Sequence, residues 1–208
     1  MSSCDSLKLI TDAYIASCLQ QYGSQSAAVT IGNNGKKAAV LVPFFQRGEE
    51  WHILYTRRSE AVNDHKGQVS FPGGAIERCD KNPSAAAMRE AYEEIGLELK
   101  AIQILGVMEE FQTVTNFIVQ PIVARIEEPH GYRINPGEVA RVFSIPLQWL
   151  CDPENFYTRE WLNPAGNFRP VFYFKPYDGE TLWGISAIIT VQLMNILGLT
   201  HKEIPNYL

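Results

Sequence analysis

The chain has 208 residues, 46% of them hydrophobic and 20% charged, with a formal net charge of -5 at neutral pH. That length and balance fit one soluble domain with a sizeable core and exclude fibrous and disordered classes. The acidic balance argues against a nucleic-acid surface, which would be basic, but leaves a small anionic substrate open, because a divalent cation can mediate the contact.

Residues 5–21 carry Leu7, Ile10, Tyr14, Ile15, Cys18 and Leu19 at helical spacing, which predicts an amphipathic helix packed on the domain. We divide the chain after residue 30: 1–30 hold this helix and part of a connector rich in Gly, Ser and Asn, and 31–208 form the main domain. Two strand-like runs, Ala38–Phe45 and Trp51–Thr56, flank a polar turn at Gln46–Glu50, and a loop is predicted over Arg57–Val69. Asn82 can cap a helix, with Pro83 in its first turn and Gly96 just past its end, so Ser84–Ile95 should be helical. Ile102–Val107, Phe117–Ile126 and Val171–Lys175 read as strands, and Val139–Phe143 is ambiguous. Leu182–Leu199 is apolar enough to raise a membrane span, but Ser186, Thr190, Gln192, Asn195 and two glycines favour a buried terminal helix. Strands before and after one central helix give an α+β class with a mixed sheet and not a regular βαβ series.

The cysteines, Cys4, Cys18, Cys79 and Cys151, form no CxxC pair and have no histidine at zinc-finger spacing. They read as reduced thiols of a cytoplasmic protein. Asp5, Lys8 and Asp12 interrupt any early signal-peptide pattern, and neither a membrane nor a nucleic-acid partner is expected.

The densest chemistry lies in FPGGAIERCDKNPSAAAMREAYEEIG, Phe71 to Gly96. On a helix, Glu90, Glu93 and Glu94 stand at i, i+3 and i+4 and share a face. Met88, Ala91, Tyr92 and Ile95 would form the opposite, apolar face. Carboxylates so close repel one another. Either solvent screens them or a hard cation such as Mg2+ or Mn2+ binds them. Gly73 and Gly74, ahead of this helix, allow backbone to approach a ligand closely. Arg89 stands at i−4 from Glu93 and could orient it.

The same stretch resembles the Nudix box: Gly74, Asp80 in the acid position, then Arg89-Glu90-Ala91-Tyr92-Glu93-Glu94-Ile95-Gly96-Leu97. Two departures are an aspartate where glutamate is usual and a spacer of eight residues before Arg89 instead of seven. The resemblance implies the Nudix fold, an α/β/α sandwich around a mixed sheet, and hydrolysis of a nucleoside diphosphate linked to another moiety. It implies Mg2+ or Mn2+ held by Glu90, Glu93, Glu94 and the carbonyl of Gly73, with Arg89 holding a glutamate in place. Homodimers are common in the family.

LYTRRSEAVNDHKGQVSFPGG, Leu54 to Gly74, is similar to an additional motif of the coenzyme A diphosphatase branch, departing at Tyr55 and at Asn63, where a basic residue is usual. Asn135-Pro136-Gly137-Glu138-Val139 and Leu182-Trp183-Gly184-Ile185-Ser186-Ala187 resemble further segments of that branch. The implied reaction splits coenzyme A or a derivative into 3′,5′-ADP and 4′-phosphopantetheine. Arg57, Arg58, His65 and Lys66 give a locally basic loop for phosphate, because the arginine fork donates two hydrogen bonds. With Ser59, Gly67, Phe71 and Gly74 they form the expected substrate-binding set, although each is also compatible with an ordinary exposed loop. Glu93 and Glu94, with Arg89, are the expected catalytic residues. Glu138, on a Pro-Gly turn, is the candidate general base or a structural residue. Two other readings stay open: another dinucleotide substrate, such as ADP-ribose, NADH or a dinucleoside polyphosphate, and a non-catalytic nucleotide sensor.

Overall fold

A computed structural model describes residues 7, 9–25, 35–62, 65–113, 115–128, 131–162, 166 and 168–201. Asn63, Cys4 and the connector at 26–34 lie outside the described residues. In chain order the elements begin with α1 (Asp12–Gln25), β1 (Lys36–Arg47), β2 (Glu50–Arg58), β3 (Val69–Ser70), β4 (Gly73–Ala75) and α2 (Pro83–Ile95). A single 3-10 turn leads into β5 (Ile102–Val107), followed by β6 (Phe111–Gln112), β7 (Phe117–Ile126) and β8 (Val139–Pro146). The chain then forms α3 (Leu147–Cys151), a hairpin of β9 (Phe156–Leu162) and β10 (Phe168–Phe174), and α4 (Gly184–Ile196).

Strand alternation sets the layers. β1 sends Ala38, Val42 and Phe44 into one core and Ala39, Leu41 and Phe45 into the other. A strand apolar on both faces must be covered on both, so β1 is a central strand. It pairs in parallel with β7, from Lys36↔Phe117 to Phe44↔Arg125, and antiparallel with β2 and β4. β8 and β3 pair with β2, and β5 and β6 pair with β7, all antiparallel. This is the mixed sheet the sequence predicts, with helices on both faces.

The helix α2 covers one face. Asn82 Oδ1 accepts the Ala85 N–H at 2.9 Å, and Gly96, at φ 70°, ends the helix by donating its N–H to the Tyr92 carbonyl. Its buried residues are Ala86, Ala87, Ala91, Glu94 and Ile95. The apolar face therefore differs from the sequence expectation. Met88 is half-buried, and Tyr92 is exposed beneath the Arg133 guanidinium, 5.4 Å from its ring. The alanines are the cause: small side chains let the backbone settle onto the sheet, and Glu94 is carried inward with them. On the other face α1 packs Ile15 and Leu19 into the larger core together with Val191, Leu193 and Met194 of α4. The α4 residues are mostly buried, and no helix among the described residues is long and apolar enough to cross a membrane.

Candidate active site

The inward turn of α2 builds the site. Glu94 is 3% exposed, yet it has few partners. Its Oε2 accepts the Gly73 N–H at 3.2 Å, and its Oε1 stands 3.9 Å from Arg58 Nη1. Burial pushes its carboxyl up to about 8, against the opposing pull of the Gly73 N–H and Arg58. Glu90, one turn earlier and half-buried, is raised in the same direction, again chiefly by burial, with Arg89 opposing. The third carboxylate comes from the turn before β8. Ligand oxygens of Glu90, Glu94 and Glu138 all lie within 4.8 Å of one another.

Glu93 does not join these three. Its side chain is 49% exposed, and its Oε2 accepts Arg89 Nη1 at 3.0 Å. Arg89 is the hub of the outer side. The same Nη1 reaches Glu90 at 2.9 Å, and Nη2 reaches the Ala75 carbonyl at 3.2 Å. Asp80 closes the arrangement, accepting Nε and Nη2 of Arg89 at 3.0 Å each in a bidentate pair. That pairing holds the Asp80 carboxyl below the ordinary aspartate range. The sequence reading placed Asp80 in the acid position of the box but left it out of the site residues, and the structure gives it the hold on Arg89.

The two glycines act differently. Gly73 has φ +157°, and a Cβ there would stand 2.4 Å from the Ala39 carbonyl oxygen. It lets β4 lie against β1 and aim its N–H at Glu94. At Gly74 a Cβ would come within 2.5 Å of the Glu90 carboxylate, so this glycine leaves room for that side chain.

The predicted loop over Arg57–Val69 begins later than expected, because β2 runs to Arg58. Strand alternation then separates the two arginines. Arg58 faces Glu94, whereas Arg57 Nη1 lies 3.6 Å from Glu180, a buried acid that also accepts Arg141. Ser59 donates its N–H to the Glu138 carbonyl at 2.8 Å, and its Oγ accepts the Ala61 N–H. His65, at φ 58°, is exposed and bonded to Gln68, and Lys66 is exposed. Gly67 has φ 66°, and a Cβ there would strike the Glu60 carboxylate. Phe71 is buried, with its ring 4.9 Å from that of Tyr55, and belongs to the core. Arg58, Ser59, Gly73 and Gly74 thus meet the acidic cluster, whereas Arg57 and Phe71 are engaged elsewhere.

A divalent cation fits this donor set. The cluster offers only oxygens, as hard cations require, and it brings three carboxylates together, with burial disfavouring the charge of Glu90 and Glu94.

Comparison with known proteins agrees with this chemistry. The NUDIX domain model matches residues 35–165. The chain is 35% identical over 165 residues to a Cronobacter sakazakii protein named uncharacterized Nudix hydrolase NudL, covering 79% of this chain and 84% of that one. It is 32% identical over 166 residues to a protein of the same name from Escherichia coli strain K12, covering 80% and 85%. Among solved structures it is similar in fold to DR0079 from Deinococcus radiodurans, with a TM-score of 0.50 and 16% identity over 80% of this chain and 90% of that one.

Proposed function

Because the chain belongs to the Nudix hydrolase family, whose enzymes act on pyrophosphate bonds of nucleoside diphosphate derivatives, we propose that its substrate is coenzyme A or an acylated derivative. One observation carries this reading. The stretch that is similar to the coenzyme A diphosphatase motif supplies Arg58, Ser59 and Gly73 to the carboxylate cluster, and the Asn-Pro-Gly-Glu-Val segment supplies Glu138.

Water adds to one phosphorus of the diphosphate, and the bond from that phosphorus to the bridging oxygen breaks, giving 3′,5′-ADP and 4′-phosphopantetheine or its acyl form. Glu90, Glu94 and Glu138 would hold the divalent cation. When bound, Mg2+ or Mn2+ neutralises phosphate charge and lowers the pKa of its water. Arg89 keeps Glu90 and Glu93 in place from the outer side. Arg58, close to Glu94 but beyond hydrogen-bonding distance of it, is free to turn its fork to a phosphate oxygen.

The test is turnover of coenzyme A, acetyl-coenzyme A, ADP-ribose, NADH and a dinucleoside polyphosphate side by side, with Mg2+ and with Mn2+. The coenzyme A forms should show the highest kcat/KM and yield 3′,5′-ADP. Preference for ADP-ribose or NADH would overturn the substrate, and tight binding without turnover would favour a sensor.

A further inference from the structure

The segment that delivers Glu138 is tied to α2 through its backbone, and one side chain fixes the turn within it. The Asn135 N–H donates to the Glu94 carbonyl at 2.8 Å, at the open end of the helix where carbonyls lack intrahelical partners. Its neighbour Arg133 donates to the Ile95 carbonyl at 3.1 Å. The Asn135 carbonyl in turn accepts the N–H groups of Glu138 and Val139, at 3.1 and 2.9 Å. Its side chain completes the link: Oδ1 accepts the Gly137 N–H at 3.1 Å, and Nδ2 donates to Glu138 Oε1 at 3.0 Å.

We propose that Asn135 is a positioning residue for the cation site, fixing the Glu138 carboxylate against Glu90 and Glu94. The chemistry of the residue supports this. A carboxylate brought beside two others needs a donor to hold its orientation, and an amide supplies one without adding charge. Because the backbone of Asn135 is bonded to the residue that carries Glu94, the two sides of the cluster share one rigid frame. The role rests on the reading that Glu138 belongs to the cation site.

The test is Mn2+ affinity, read by electron paramagnetic resonance of the free ion, for wild type, N135D, N135S, E138Q and the N135D/E138Q pair. Asn135→Asp keeps the acceptor for Gly137 but replaces the donor with a like charge. Asn135→Ser is shorter and cannot reach Glu138. Both should weaken Mn2+ binding by about tenfold, the ordinary cost of losing a group that orients a ligand. In the E138Q background, N135D should add little, because the group it acts through has already lost its charge. Thermal melts with EDTA identify any variant that has unfolded, and N135S decides if N135D does. Unchanged affinity in the Asn135 variants with weakened affinity in E138Q overturns the positioning role alone. Additive losses in the double variant also overturn it. Unchanged affinity in E138Q removes Glu138 from the cation site, and the role of Asn135 falls with it.

Discussion

Glu94 occupies a place where its own charge is unfavourable, and the consequences can be measured one residue at a time. Replacing it with glutamine keeps an oxygen for the Gly73 N–H and removes the charge. E94Q should lower kcat/KM by about a hundredfold or more, while the metal-free variant melts above wild type at pH 8. A variant that is both active and no more stable would show that the carboxylate has other compensation. Asp80 makes a different case, because its carboxylate holds Arg89 and accepts the Glu77 N–H. D80N should cut kcat by about tenfold, as for other groups that orient a ligand, with KM moved much less. Steady-state kinetics at saturating Mg2+ separate the two parameters. An equal rise in KM would place Asp80 in substrate binding instead.

The unit that positions chemistry is strand β4 followed by α2, and its two glycines should fail in distinguishable ways. In G73A the new methyl meets the β1 backbone at 2.4 Å and a strained φ, so the fold should lose stability, read as a lower melting temperature. In G74A the atoms nearest the methyl are those of the Glu90 carboxylate, at 2.5 Å. That side chain can move, so the melting temperature should hold while Mn2+ affinity falls by about tenfold. Much of this element was legible. The Asn82 cap, Pro83 and the Gly96 stop mark α2 to within a residue, because each is a local backbone requirement. Its buried face was not legible. The large side chains Met88 and Tyr92 draw a periodicity reading toward themselves, whereas the tertiary contact uses alanines and takes in Glu94. β3, β4 and β6 are too short, at two or three residues, to display an alternating pattern. The convergence of Glu138 with Glu90 and Glu94 depends on a turn bonded to a helix end, which no spacing within one segment encodes.

For the whole molecule, the cluster couples folding to pH and to metal. In the metal-free protein Glu94 releases its proton near pH 8 when folded, and from 4.5 once unfolded. Between those values the unfolded chain binds fewer protons, so stability should be greatest below about pH 4.5 as far as this group is concerned and should fall as pH rises toward 8. Melting curves with EDTA at pH 5, 6.5 and 8 should show that decline. Saturating Mg2+ should raise the melting temperature most at pH 8, because the ion binds the ionised carboxylate. A rise that is equal at all three values would place the coupling elsewhere. Lys36 of β1 pairs in parallel with Phe117 of β7. The central ladder therefore cannot close during synthesis until the intervening segments, α2 included, have left the ribosome, and Glu138 follows later still. Such distant pairing is intrinsically slow, so the nascent chain carries its acidic helix for a time without β7 or the third carboxylate that later complete its surroundings.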